Sequence, residues 1–176
     1  MTSTTLLRTA LRACAAPWGL AAALLAPAAW AAPFTVNADG TVTDAATGLV
    51  WDRCAWGQTG AGCSGSPTTH TWAQALAVAQ TANTGNHKGH ADWRLPNKNE
   101  LASLRKLDAT AAPYIDTAAF PNTPPSGSAS VFWSSTNYAP NPANAWDVYF
   151  YNGNADAYSK THYYSVRLVR SGQSLA

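Results

Sequence analysis

Apolar and polar residues alternate with a helical period in the middle of the chain, which predicts an amphipathic helix there. Four apolar residues recur at the i, i+3, i+4, i+7 spacing of one helical face: Trp72, Ala75, Leu76 and Ala79. Thr71 and Gln74 have the spacing of a capping box, in which each side chain satisfies a free backbone N–H of the first turn. We therefore predict a helix that starts after Thr71 and ends at Gly85.

A second, shorter helix is predicted after Asn97. Asn97 and Glu100 again have capping-box spacing, and Leu101, Leu104 and Leu107 provide an apolar face. Glu100 is the only glutamate of the chain, and an acidic residue in the first turn also complements the helix dipole. We therefore assign Glu100 a capping role rather than a catalytic one.

Strand signals flank the two helices on both sides. Short runs rich in β-branched and aromatic residues are bounded by Gly, Asn, Asp and Pro, which is the pattern of strands and turns. The predicted strands are residues 34–37, 41–44 and 49–51 before the helices, and residues 131–136, 145–151, 154–160 and 163–169 after them. Asn152 and Gly153 form a strong hairpin signal. This order predicts an α+β fold, with the helices segregated from an antiparallel sheet.

Two segments between these elements lack a periodic pattern. Residues 54–67 are rich in Gly and Ser and predict a loop, and residues 109–130 are rich in Pro, Ala, Ser and Thr. The second segment also carries Tyr114, Ile115 and Phe120, whose apolar surface needs to be buried. We therefore expect a long ordered loop there rather than a linker.

The first residues of the chain have the layout of a secretory signal peptide. Arg8 and Arg12 precede an uncharged run rich in Ala and Leu, and Ala29 and Ala31 supply a small-x-small cleavage site. A retained membrane anchor and a lipoprotein modified at Cys14 are the alternatives. We predict a signal peptide over residues 1–31 and a single domain over residues 32–176, in a secreted, periplasmic or cell-surface protein without a membrane span after cleavage.

Charge and cysteine content change once this segment is removed. Charged residues make up only 11% of the chain, and aromatic residues 11%, which argues against a disordered protein or a nucleic-acid partner. Loss of Arg8 and Arg12 leaves 9 basic against 9 acidic residues. Cys54 and Cys63 then remain as a pair, too few thiols for zinc without clustered His. In an exported protein we expect them to form a disulfide, which stabilises the fold by roughly 2–3 kcal/mol.

Residues of catalytic or metal-binding type form no recognisable signature. The chain contains no G-x-S-x-G, P-loop or dinucleotide-binding glycine pattern. His87 and His90 with Asp92 are the one cluster that resembles a metal site, but their spacing is not that of a helical zinc site, and we interpret them as a solvated loop. We therefore predict a protein that is not an enzyme, with no cofactor and no metal.

The aromatic residues near the C-terminus offer a candidate binding surface. In a strand over residues 145–151, Trp146, Val148 and Phe150 share one face, and the residues between them share the other. Rings beside short amides and carboxylates suit a glycan or a protein epitope. The candidate ligand-binding residues are Trp133, Asn144, Asp147, Tyr149, Tyr151, Asn152, Asn154 and Tyr158. The alternative is that the Pro-rich loop covers these tyrosines.

Several short motifs together resemble one known bacterial family. They are GLVW at residues 48–51, DWRLPN at 92–97, NEL at 99–101, FPN at 120–122, FWSS at 132–135, AW at 145–146, NG at 152–153 and VRLVR at 166–170. In this order they resemble the Lcl C-terminal domain family, a bacterial domain of unknown function. The resemblance implies a C-type-lectin-like fold, distantly similar to the formylglycine-generating, sulfatase-modifying fold.

The family's known activities carry over only in part. The formylglycine-generating enzymes use a thiol pair in their C-terminal half, whereas no Cys follows Cys63 here. Collagen-like adhesins with this domain bind polyanionic glycans as trimers, but this chain has no collagen repeat and no calcium-binding lectin motif. Within the fold that the resemblance implies, we interpret Asp92, Trp93, Arg94 and Arg170 as structural residues that hold the sheet to the helices; a ligand clamp is the alternative.

Two functions from different classes follow from these observations. The first is an exported, non-catalytic adhesion-type module that recognises a glycan or a cell-surface protein through the aromatic and Asn-rich surface. The second is a structural, envelope-associated domain that contacts partner proteins without a small ligand. Formation of homo-oligomers stays open in both.

Overall fold

The computed structural model describes residues 33–172, which form two small sheets and two helices. The predicted signal peptide lies outside the described residues. The strands are β1 (Phe34–Val36), β2 (Thr41–Asp44), β3 (Leu49–Asp52), β4 (Thr69–His70), β5 (Val131–Asn137), β6 (Asn144–Tyr149), β7 (Asn154–Ser159), β8 (Tyr164–Ser165) and β9 (Val169–Ser171). The helices are α1 (Trp72–Thr84) and α2 (Lys98–Ser103), with short 3-10 turns at His87–Gly89 and Ser128–Ser130. The predicted α+β class is confirmed.

The predicted antiparallel sheet is divided into two. One sheet has the strand order β1-β2-β3-β9, and the other has the order β4-β8-β5-β6-β7. All pairs are antiparallel except β5 and β8, which run parallel. The prediction of a single strand over residues 163–169 is therefore wrong, because β8 belongs to the second sheet and β9 to the first. Arg167 lies in the connection between them and is fully buried.

Both helices start where their capping boxes predict. The side chains of Thr71 and Gln74 exchange hydrogen bonds with each other's backbone, and those of Asn97 and Glu100 do the same. The buried face of α1 is formed by Ala75, Val78 and Ala82, whereas Leu76 of the predicted stripe is exposed. These three residues pack on the large rings of Trp133 and Tyr164 in the second sheet. The buried face of α1 is therefore rotated about the helix axis away from Leu76.

The predicted extent of the apolar face of α2 is wrong at its end. Leu101 and Leu104 are buried, but Leu107 is 66% exposed. The helix ends at Ser103, and the backbone N–H of Lys106 bonds to the carbonyl of Tyr114 instead of continuing the helix. This turn points Leu107 away from the core.

The second sheet is covered on both faces. Phe132, Val148 and Phe150 pack into a core that also contains residues of the first sheet, α2 and the long loop. Val131 and Trp133 face the other way, into a core shared with α1. On this face of the second sheet, α1 lies over β4 and β5. The outer strands β6 and β7 extend beyond the helix.

The loops are fixed to this frame. Cys54 and Cys63 form the predicted disulfide in the Gly-rich loop. In the long loop, Ile115 and Phe120 are buried as predicted, and Tyr114 is half-buried. Within residues 33–172, no helix has both the length and the apolar character needed to cross a membrane.

Candidate functional site

The alternation of side chains along β6 creates the candidate site. Val148 is buried in the core between the two sheets, whereas Asp147 and Tyr149 lie on the opposite face, the one that α1 partly covers. Asp147 is paired across the sheet with Trp133 of β5 and with Asp156 of β7. The predicted division of the strand into two faces is confirmed.

The hairpin after β6 has a different register from the one that a two-residue Asn152-Gly153 turn would give. The last ladder pair is Tyr149 with Asn154, so four residues form the connection. Phe150 leaves the ladder because its backbone N–H bonds to the carbonyl of Ser130 and its carbonyl accepts from Tyr114. Gly153 has a φ of +76°, a conformation that glycine adopts without strain.

Five aromatic rings on this face form one contiguous cluster, which we call the tyrosine surface: Tyr149, Tyr151, Tyr158, His162 and Tyr164. The ring of Tyr149 lies 5.4 Å from Tyr151, 5.9 Å from Tyr158 and 6.4 Å from Tyr164, measured between centroids. His162 lies 5.7 Å from both Tyr158 and Tyr164. The rings come from β6, β7, β8 and their connections, so the sheet register sets the cluster.

The tyrosine surface is partly open to solvent. Tyr151 and Tyr158 are each 39% exposed, Tyr149 is half-buried, and Tyr164 is buried against Trp133. The Pro-rich loop does not cover the rings; its residues 126–128 form one wall of an open groove of about 500 Å³, a volume typical of small-ligand sites. A smaller notch of about 70 Å³ lies on the other side of Tyr149 and Tyr151.

Beneath the rings lies a buried carboxyl group. Asp147 is 0% exposed, and neither of its side-chain oxygens forms a well-aligned hydrogen bond with any group of residues 33–172. Burial raises the pKa of Asp147 to about 8, the neighbouring charge of Asp156 raises it further, and the backbone N–H of Tyr158 offsets part of the rise. Asp147 is therefore largely protonated at neutral pH.

The hydroxyl groups of the cluster are neutral hydrogen-bonding groups. Burial is the largest cause that raises the pKa of Tyr149, followed by the hydroxyls of Tyr158 and Tyr164, which lie beside it. Burial also raises the pKa of Tyr164. These phenols can donate and accept hydrogen bonds at physiological pH without carrying charge.

The other residues of the predicted binding set have different positions. Trp133 is fully buried, and its Nε1–H donates to the carbonyl of His70 at 2.8 Å, so it supports the surface from below. Asn144 lies on the opposite face of β6, and its side chain donates to the carbonyl of Ala157 at 3.4 Å. Asn152 and Asn154 line the small notch, where the Asn152 side chain accepts the Asn154 backbone N–H at 3.0 Å.

Three residues of the site are absent from that predicted set: Asp156, His162 and Tyr164. Asp156 lies opposite Asp147 because of the hairpin register, which a two-residue turn does not give. Tyr164 joins the cluster because β8 pairs in parallel with β5, a contact between distant parts of the chain. The sequence signal that could have found His162 and Tyr164 is the spacing of aromatic residues at 158, 162 and 164.

The predicted histidine cluster is divided among separate carboxylates. His87 Nε2 lies 2.7 Å from Asp52 Oδ2, and His90 Nε2 lies 3.2 Å from Asp39 Oδ2. Asp92 pairs with Arg170 instead, at 2.7 Å. Among residues 33–172, no three His, Cys, Asp or Glu side chains gather as a metal site would require. The two histidines are thus fixed to the first sheet rather than solvated in a free loop.

The residues with predicted structural roles connect distant elements. The Arg94 backbone forms a bridge with Val169 of β9, and its guanidinium donates two 2.7 Å hydrogen bonds to Glu100 of α2. Asp92 binds the Arg170 side chain, so β9 is held at two points. Trp93 is buried in the core beneath α1, and its Nε1–H donates to the carbonyl of His87 at 2.9 Å.

Fold and site together define an α+β domain of two small sheets with a tyrosine-lined surface on one outer face. Residues 40–170 match the family model described as the Lcl C-terminal domain, and the chain belongs to this family. No curated protein matches the chain.

Proposed function

We propose that this protein is an exported, non-catalytic binding module that recognises a glycan through the tyrosine surface. The observation that carries the proposal is the contiguous set of partly exposed rings beside short amide side chains. Aromatic rings present an apolar face to the C–H groups of a sugar, and amides and phenols bond its hydroxyls. The disulfide supports export, since such bonds persist in oxidising compartments.

The size of the open surface favours a glycan over a large protein partner. The exposed rings border one groove and one small notch, each lined by fewer than ten residues. A stable protein interface buries about 800 Å² on each partner and involves about 20–30 residues a side. A groove lined by three tyrosine rings, beside a notch lined by two asparagines, has the dimensions of a short run of sugar units.

The rigidity of the surface also supports recognition. Tyr149 and Tyr164 pack on the second core, so these rings are held in place before a ligand arrives. Side chains that are already ordered lose little conformational entropy on binding. The exposed rings of Tyr151 and Tyr158 then provide the contact area.

The test is a glycan array probed with the purified protein and with Tyr151→Ala and Tyr158→Ala. We expect the protein to bind glycans of one class on the array. Each variant should bind them at least about tenfold more weakly, which corresponds to about 1.4 kcal/mol. Tyr163→Ala is the matched control, because Tyr163 is 56% exposed but lies outside the cluster.

The proposal would be contradicted if the protein bound no glycan on the array. It would also be contradicted if Tyr151→Ala and Tyr158→Ala bound as tightly as the unmodified protein. Concentration-dependent oligomers in light scattering, together with no glycan bound, would favour the alternative of a structural domain that contacts partner proteins.

A further inference from the structure

Two acidic side chains face each other across the hairpin at the base of the tyrosine surface. Asp147 and Asp156 form a directly opposed cross-strand pair, and opposed residues in such a ladder have Cβ atoms about 4.5–5.5 Å apart. Like charges in this position destabilise a sheet. None of the five ion pairs formed within residues 33–172 includes either of them.

The buried member of the pair is poorly satisfied within residues 33–172. Both side-chain oxygens of Asp147 are inaccessible to solvent and without a well-aligned hydrogen bond, and the backbone N–H of Tyr158 is a donor that lies beside them. A buried acceptor left in this state costs about 1–3 kcal/mol, and native proteins usually satisfy such groups with a donor, an ion or a ligand. Asp147 is therefore a buried acid whose protonation can respond to a charge bound above it.

The groups around this pair suit a cation. Tyr149, Tyr151 and Tyr158 line the small notch together with Asp156, and the notch of about 70 Å³ is on the scale of one small polar group. Aromatic faces attract ammonium groups, most strongly where water is excluded. Asp156 is exposed at the notch, whereas Asp147 lies beneath it.

We propose that the notch binds the positively charged amino group of a sugar, with Asp156 and Asp147 as its counter-charges and the tyrosine rings as its walls. This inference rests on the proposed glycan-binding function and names the class of glycan: an amino sugar whose nitrogen is not acetylated. The sugar rings lie along Tyr151 and Tyr158, and the ammonium group donates its N–H bonds to Asp156, which lines the notch. Asp147, buried beneath the rings, acts on the ammonium group through its charge rather than through a direct hydrogen bond.

A bare divalent metal ion fits the same position poorly. Calcium takes six to eight oxygen ligands, whereas this pair offers two carboxylates, and no group of three acidic or histidine side chains is found within residues 33–172. An ammonium group needs only a few acceptors and gains from the ring faces.

Binding should also move a proton. Because the pKa of Asp147 is raised to about 8, its carboxyl group is protonated in the free protein at pH 6. An ammonium group beside it stabilises the carboxylate, so the carboxyl proton passes to the buffer when the ligand binds. The other titratable groups on this face are Asp156, Tyr149, Tyr151, Tyr158, His162 and Tyr164, and α1 carries no charged residue.

The experiment is titration calorimetry at pH 6 with two tetrasaccharides that differ only at nitrogen: β-1,4-linked glucosamine and its fully N-acetylated form. We expect the purified protein to bind the free amine at least about tenfold more tightly than the acetylated form. Measurements in two buffers of different ionisation enthalpy should show release of part of a proton with the amine.

The variants Asp147→Asn and Asp156→Asn should lose the preference for the amine, and Asp147→Asn should also lose the proton release. Asp108→Asn is the matched control, since Asp108 is exposed and does not line the notch. Circular dichroism checks that each variant is folded; Asp156→Asn changes an exposed residue, so the test does not depend on the buried site alone.

The outcomes separate the two proposals. Equal affinity for both tetrasaccharides would overturn the amino-group inference and leave glycan binding in place, whereas binding of neither would count against both. A tetralysine peptide that binds as tightly as the glucosamine tetramer would also overturn the inference, because the surface would then recognise amines of proteins rather than of sugars.

Discussion

At the scale of single residues, Asp147 shows how position decides protonation. An aspartate in water is ionised at neutral pH, but Asp147 is buried under aromatic rings and faces a second acid. Burial penalises the charged form, and Asp156 adds repulsion, so the folded-state pKa rises to about 8 from the ordinary value of 3.8. The neutral acid is the form that this environment tolerates.

This shift predicts an unusual dependence of stability on pH. Because the folded state holds the Asp147 proton up to about pH 8 and the unfolded chain loses it near 3.8, the folded state binds more protons between these values. The free energy of unfolding therefore falls as pH rises through this window, by up to about 1.4 kcal/mol per pH unit. We expect a loss on the order of 3 kcal/mol between pH 5 and pH 8 in urea denaturation.

Asp147→Asn is the matched comparison. Its stability should change much less over the same range, and it should exceed that of the unmodified protein at pH 8. His70, whose pKa burial lowers, acts in the opposite direction, but it is common to both proteins. Parallel pH profiles for the two proteins would show that the Asp147 carboxyl group is not protonated in the folded state.

At the scale of elements, α2 is too short to be stable by itself. It spans only Lys98–Ser103, and helices of one or two turns are marginal in water. Glu100 performs two tasks at its start: Oε2 accepts the Asn97 backbone N–H at 2.8 Å, and both oxygens bind the Arg94 guanidinium. The Arg94 hydrogen bonds are also the largest cause that lowers the pKa of Glu100.

Two substitutions separate these tasks. Glu100→Gln keeps a capping side chain but removes the charge, whereas Glu100→Ala removes both. We expect Glu100→Ala to lower the free energy of unfolding by about 1–2 kcal/mol and Glu100→Gln by about half as much, a modest effect because Arg94 is partly exposed. Urea denaturation at pH 7 measures both.

Glu100→Gln also provides a second test of the ion pair, at low pH. Since the folded-state pKa of Glu100 is lowered, its contribution is present above its ordinary pKa and is lost as pH falls through the folded value. The difference between Glu100→Gln and the unmodified protein should therefore shrink at pH 3. A constant difference would show that the Arg94 ion pair does not stabilise α2.

At the scale of the whole molecule, Arg167 joins the two sheets. It lies in the connection between β8 and β9, and its guanidinium donates to the carbonyl of Asp52 at 3.1 Å and to Thr123 Oγ1 at 3.0 Å. It also lies over the rings of Phe120 and Phe132. Burial lowers the pKa of Arg167 to about 10, with Asp52 as the nearby opposing charge, so it remains a buried cation at neutral pH.

Removal of this side chain should destabilise the entire domain. Arg167→Ala leaves the Asp52 carbonyl and Thr123 Oγ1 without their donor and opens a cavity between the sheets, for which we expect a loss of about 3–5 kcal/mol. Lys106→Ala, at an exposed position, should change the free energy of unfolding by less than about 0.5 kcal/mol. Denaturation followed by tryptophan fluorescence measures both, and a small effect of Arg167→Ala would mean that the sheets are held together by apolar packing alone.

Local interactions made much of the fold predictable from sequence. The starts of both helices follow from capping residues three positions apart, and β2 and β3 follow from short runs of β-branched and apolar residues beside turns. The Cys54–Cys63 pair was predictable because its partners are close in sequence and the loop between them is rich in Gly. Each of these features depends on residues within about ten positions of one another.

The amino-acid sequence by itself determined the class of fold, the disulfide and the two faces of β6, because short-range periodicity and capping encode them. Only the tertiary structure decided that residues 163–169 divide between two sheets, that Asp147 faces Asp156, and that Tyr164 joins the ring cluster. These outcomes depend on hydrogen bonds between distant segments, such as those that draw Phe150 out of its strand. The physical reason is that strand register and sheet partner are set by long-range pairing, which no local pattern of residues records.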